Sequence, residues 1–254
     1  MPRNENEKKI SIGSWLSIGS PYVAEMMATS GFEWLVIDME HSAANGLTET
    51  QRLIQVIDLA SCRPFVRVPS GDPSIIKVLL DAGAHGIIAP MINTPEEAQS
   101  VVNAARYAPH GNRGVGLWRA QDYGRNFDGY REWYEREGVL LVQIEHILGV
   151  ENLAEILEIE GVDGFIIGPY DLSSSLGIPG EFNNAKYLDA LQQVKDIVKQ
   201  TDKLVGIHIV YPDRELLKMR IEEGYNFIAY GVDFTFLTTI IDDETEFMLN
   251  LIQK

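Results

Sequence analysis

Short runs of consecutive apolar residues recur along the chain, and between them apolar residues return every three or four positions. WLVID, FVRVP, GIIAP, LLVQI, GFIIG, LVGIHI and FIAY each stop abruptly at a polar or small residue or at a proline. Runs that stay apolar on both faces read as strands of a parallel sheet covered by helices. They predict strands at roughly 11–17, 34–38, 64–68, 86–90, 140–144, 164–168, 204–209 and 226–230. The helical spacing predicts helices near 21–30, 47–60, 73–82, 95–106, 149–159, 184–200, 212–223 and 236–252. Gly31, Gly83, Gly161 and Gly224 each precede a strand, where a left-handed glycine closes the helix before it. Ser20-Pro21, Asp72-Pro73 and Thr94-Pro95 place a capping side chain before a proline at the first helical position, and Thr94 with Glu97 fits a capping box.

The repeating unit is therefore strand, loop, helix, glycine. Eight such units in 254 residues predict a closed (β/α)8 TIM barrel, a single domain over 1–254, rather than an open doubly wound sheet. No G-x-G-x-x-G follows the first strand, which also argues against a dinucleotide fold. One region, about 107–138, reads as irregular and holds five aromatics between Tyr123 and Tyr134. Loops of that length serve as lids or subunit contacts.

The net charge of −16 argues against nucleic acid or an anionic membrane as partner, while leaving room for a small anion held by local arginines. Cys62 is the only cysteine, so no intramolecular disulfide or thiolate cluster is available, and its place after a helix on the face opposite the rim makes it inert. The amino-terminal MPRNENEKKI is polar, and no apolar run approaches the length of a membrane span, so a cytoplasmic protein is expected.

In such a barrel the carboxyl ends of the strands form the active face. Those ends supply Trp15, Asp38, Glu40, His41, Arg67, Gln143, Glu145, Asp171, Ser173, His208 and Asp233. Glu145 and Asp171 lie one strand-helix-strand unit apart, so both belong to one rim. Two acids there suit a divalent metal with oxygen ligands; the other reading is a pair of solvated loop acids. Arg67 interrupts an apolar strand and needs a partner, either a structural carboxylate or an anionic substrate. His41 is either a functional strand-end residue or a surface loop histidine, and His208 either a functional residue or a satisfied barrel histidine. Trp15 reads as pocket wall. No lysine falls at the carboxyl end of a predicted strand, Lys203 preceding strand seven on the wrong face, so Schiff-base chemistry is disfavoured.

WLVIDMEH, FVRVP, IKVLLDAGAHGIIAPM, RYAPHGNRGVG, VLLVQIE, GVDGFIIGPYDLS and FIAYGVD, in that order, resemble the HpcH/HpaI family of class II pyruvate aldolases over about residues 10–240. The resemblance implies a barrel of the phosphoenolpyruvate/pyruvate superfamily and a divalent metal, Mg, Mn or Co. It also implies a hexamer built as a dimer of trimers with a swapped C-terminal helix. It implies reversible cleavage of a 4-hydroxy-2-oxo acid of the 2-keto-3-deoxy sugar acid type into pyruvate and an aldehyde, through a metal-stabilised enolate. Oxaloacetate decarboxylation and a non-catalytic ligand-binding barrel are the alternatives. By the resemblance, Glu145 and Asp171 bind the metal, Arg67 contacts the keto oxygen, and Gln143 hydrogen-bonds nearby. The amides of Tyr170 and Asp171 hold the substrate carboxylate, and His41, oriented by Asp38, moves the proton of the aldol hydroxyl. Asp81 matches an aspartate that approaches a neighbouring subunit's site, or is a helix surface acid. The chain departs from the family pattern at LWRAQDYG after RGVG, at Tyr170 in place of alanine, and at His208 on an often aliphatic strand end. These departures concern the aldehyde partner. Arg119, beside the altered loop, either binds the acceptor or makes a subunit salt bridge.

Overall fold

The computed structural model describes residues 9–42 and 46–252. The polar amino terminus through Lys8, and Lys254, lie outside the described residues. Eight parallel strands close into a barrel in sequence order: β1 (Ser11–Leu16), β2 (Trp34–Asp38), β3 (Arg63–Arg67), β4 (Gly86–Ala89), β5 (Val139–Ile144), β6 (Gly164–Ile167), β7 (Leu204–Ile209) and β8 (Phe227–Val232). Around them run α1 (Pro21–Ala28), α2 (Leu47–Leu59), α3 (Pro73–Ala82), α4 (Pro95–Ala105), α5 (Phe127–Glu137), α6 (Ile147–Glu151), α7 (Leu153–Glu158), α8 (Pro169–Ser175), α9 (Ala185–Val198), α10 (Arg214–Glu222) and α11 (Asp233–Ile252). This is the (β/α)8 TIM barrel the sequence predicts.

Period-two alternation sorts each strand into an outward and an inward face. Outward residues such as Leu35, Ile37, Val66 and Val142 meet the helices in one large cluster. Inward residues Trp34, Val36, Phe65, Leu141, Ile166 and Phe227 fill the barrel. At its lower end the rings of Trp34 and Phe227 stack with centroids 4.0 Å apart, and Phe65 stacks 5.8 Å from Trp34. Gly13 makes room for this plug, since a Cβ there would sit 2.1 Å from the Trp34 ring. Continuing inward by two residues past Val36, Phe65 and Leu141 brings Asp38, Arg67 and Gln143 to the open mouth. An apolar floor and a polar ceiling thus follow from the alternation.

Gly31, Gly83, Gly161 and Gly224 all take positive φ, between 95° and 107°. Asp72 caps α3 through the Ser74 amide, and Thr94 with Glu97 forms the capping box of α4. Ser20 makes no side-chain cap, against expectation. The 107–138 region is not wholly irregular: it contains the 3₁₀ turn Arg119–Gln121 and helix α5, whose buried Tyr130 and Tyr134 lie one turn apart. The helix expected at 149–159 is broken at Asn152, whose Nδ2 donates to Asn93 O at 2.7 Å. Cys62 is buried, its Sγ 3.4 Å from Phe32 O, and burial pushes the thiol up to about 11.

Candidate active site

Strand register sets the first contact. Asp38 ends β2 directly beside Arg67, which ends β3. The guanidinium grips the carboxylate with two bonds, Nε to Oδ1 at 2.9 Å and Nη2 to Oδ2 at 2.8 Å, and turns Nη1 to Glu40 Oε2 at 3.0 Å. Burial works against ionisation of Asp38. The Arg67 contacts and the His41 and Glu40 amides outweigh it and hold the carboxyl below its usual range. Arg67 therefore has structural carboxylate partners, and its side chain also lies 5.2 Å from the Trp15 ring centroid.

Across the mouth, Glu145 is 2% exposed. It accepts from the Met91 amide at 2.6 Å and from Gln143 Nε2 at 2.5 Å. Met91 adopts φ 54°, which turns its N–H toward this carboxylate. Burial, reinforced by the negative charges of Glu40 and Asp171, raises the Glu145 carboxyl to about 7. Asp171 stands in the first turn of α8, whose entrance leaves the Tyr170 and Asp171 amides without intrahelical partners. Gln143 Oε1 is buried without a hydrogen-bond partner. Three acids converging on a half-desolvated spot, with an orphaned oxygen beside them, form a hard, oxygen-rich donor set that fits a divalent cation. Among the described residues no three metal-capable side chains form a ready cage. Magnesium-type sites commonly use one or two carboxylates and leave the rest to water and substrate.

The remaining expectations divide. Trp15 lines the barrel interior, its ring stacked on His208 at 4.7 Å. His208 is half-buried on the inner face of β7, and desolvation lowers its ring to about 4. His41 sits at the mouth with its ring exposed, Nε2 3.9 Å from Glu40 Oε2. Asp38 Oδ1 accepts from the His41 backbone amide at 3.3 Å and does not touch the ring, so it fixes the loop and leaves the imidazole to Glu40. Tyr170 packs edge-on against Phe182 beside the rim. Ser173 Oγ is consumed by Tyr170 O and the Gly180 amide, and Asp233 by the amides of Ser17, Ile18 and Phe234; both knit loops.

Two expected residues lie elsewhere in this chain. Asp81 is paired with Arg113 at 2.6 Å and accepts from Gln121. Arg119 bonds Asp58 Oδ2 at 2.5 Å and Ala82 O at 3.2 Å. Asp58 and Ala82 end helices that run antiparallel to the strands, so Arg119 lies at the amino-terminal face, far from the mouth. A cleft of about 590 Å³ opens there between His85, Arg119 and Trp133, whereas the cavity of about 300 Å³ lined by Glu40, Pro90 and Met91 adjoins the acids. The strand-end acids lie with the smaller one. Lys203 also points away from the mouth, to Ile159 O and Val162 O. Glu40 and Met91 are the residues whose part the sequence conceals most: one acts from a loop after its strand, the other through its backbone.

The family model for HpcH/HpaI aldolase/citrate lyase matches residues 11–239. A 2-keto-3-deoxy-L-rhamnonate aldolase of Klebsiella pneumoniae is 40% identical over 91% of this chain and 86% of its own length. That of Escherichia coli K12 is 37% identical over 92% and 87%. The crystal structure of an HpcH/HpaI aldolase from Desulfitobacterium hafniense superposes with a TM-score of 0.88 at 28% identity, covering 95% of this chain and 93% of that one.

Proposed function

This chain belongs to the HpcH/HpaI aldolase/citrate lyase family and is a carbon–carbon lyase of the aldolase type; we propose that it is a divalent-metal-dependent class II aldolase. Its substrate would be a 2-keto-3-deoxy sugar acid, cleaved reversibly into pyruvate and an aldehyde. The 2-keto-3-deoxy-L-rhamnonate aldolases among its relatives support that class. The observation that carries the metal is Glu145: a buried carboxyl raised to about 7 beside two further acids is costly alone and stabilised by a cation.

Glu145 and Asp171 would hold the cation, which supplies a Lewis acid at the 2-keto oxygen. Arg67, rigidly aimed by Asp38, donates to that oxygen and stabilises negative charge as it develops. The Tyr170 and Asp171 amides take the carboxylate. Gln143 steadies Glu145 and offers Oε1 to a donor. His41 takes the proton of the 4-hydroxyl at its Nε2, directly or through a water, and the C3–C4 electron pair passes into the pyruvate enolate. In synthesis the same nitrogen returns the proton. Phe247, Met248 and Ile252, exposed on α11, support a homo-oligomer that covers this helix, and the assembly proposed is a hexamer.

Exchange of the pyruvate methyl protons in heavy water tests the reading before any aldehyde is chosen. Fast exchange that requires Mg, Mn or Co and disappears in Glu145→Ala is expected. No exchange with any of the three metals sinks it.

A further inference from the structure

His208 occupies an inward position of β7, two residues beyond Gly206 and beside Ala229 of β8. Its ring lies nearly parallel to Trp15, 16° between planes. Nε2 is 3.4 Å from Gly231 O. A carbonyl oxygen only accepts, so Nε2 carries the hydrogen and Nδ1 holds the lone pair. No described residue donates to Nδ1. Beside it Trp15 Nε1 is a buried donor with no partner. Trp15 Nε1 is sealed inside the barrel, so the half-buried His208 ring presents the one free group, an Nδ1 acceptor that suits a donating hydroxyl.

The local charge decides which oxygen. The ring is held neutral by burial. Arg67, the cation nearby, is balanced in charge by Asp38 and Glu40 and is aimed at the keto oxygen of the other half. Among the described residues no other cation acts on the ring, so the fitting group is uncharged. The β7–β1 arc flanks the β5–β6 acids, so a substrate whose keto acid half sits at Glu145 and Asp171 extends its other half over His208. We propose that His208 is the specificity residue that reads the 2-hydroxyl of the aldehyde half. This inference rests on the aldolase reading above.

The test is the ratio of kcat/KM for glycolaldehyde over acetaldehyde, two aldehydes that differ only by that hydroxyl, with saturating pyruvate and Mg. A ratio taken on one preparation is independent of how much of it is folded. The wild type is expected to favour glycolaldehyde, and His208→Leu to reduce the preference about tenfold, the worth of one buried hydrogen bond. His208→Asn, which keeps a polar atom, is expected to fall between them. A ratio within twofold of wild type in His208→Leu, or no preference in the wild type, overturns the subsite. Failure of the wild type to exchange pyruvate methyl protons overturns the aldolase reading and the subsite together, so the two failures are distinguishable.

Discussion

Glu145 and Arg67 show how single side chains are tuned by what surrounds them. A proton held on Glu145 up to about 7 competes with a cation for the same oxygens. Below that pH the apparent affinity for Mn should weaken about tenfold per pH unit, and above pH 8 it should level off. Titration of free Mn by electron paramagnetic resonance from pH 5.5 to 8.5 reads this directly; an affinity flat across that range would mean the cation does not use Glu145. Arg67 gives a stability counterpart. Its bidentate grip on Asp38 is nearly inaccessible, with side chains 9% and 3% exposed. Asp38→Ala leaves the guanidinium with Glu40 alone and should cost about 3 kcal/mol in urea unfolding, far more than an exposed ion pair. A loss under about 1 kcal/mol would show that Glu40 suffices to hold it.

Whole strands and helices were mostly legible because each buried strand is a run and each helix a stripe. Gly13 illustrates what a run conceals. It looks like any small residue in SIGSWLS, yet Trp34 lies where its Cβ would be. Gly13→Ala should therefore destabilise the barrel by about 3 kcal/mol, measurable in the urea midpoint; an unchanged midpoint would mean the Trp34–Phe65–Phe227 stack shifts freely. Helix α5 was missed although Tyr130 and Tyr134 carry a helical spacing, because its exposed turns hold Gly129 and many charges and follow a loop without periodicity. At the site, the strand-end residues were legible from position alone. The contact of Glu40 with Arg67 and the part of the Met91 amide were not, since each arises from a partner on another element. Asp81 and Arg119 lie away from this chain's own mouth for a related reason: which end of the barrel a loop arginine reaches is decided by tertiary packing, here the ends of α2 and α3.

At the scale of the whole molecule, two mouth residues pull stability in opposite directions with pH. The folded pKa of Glu145 is raised, so what it contributes is present below about 4.5 and lost as pH rises through 7. That of His208 is depressed to about 4, so what it contributes is present above 6.5 and lost as pH falls toward 4. The wild-type curve alone therefore says little, because the two trends offset each other between about 4.5 and 6.5 and other carboxylates add their own. The difference between wild type and His208→Leu isolates the histidine. Measured by urea unfolding in chelator, wild type should lose about 2.5 kcal/mol relative to the variant between pH 7.5 and 4.5, because only its unfolded chain gains a proton there. A difference independent of pH would mean that the ring charges inside the folded barrel, with a counterion the neutral-imidazole geometry at Gly231 O does not provide.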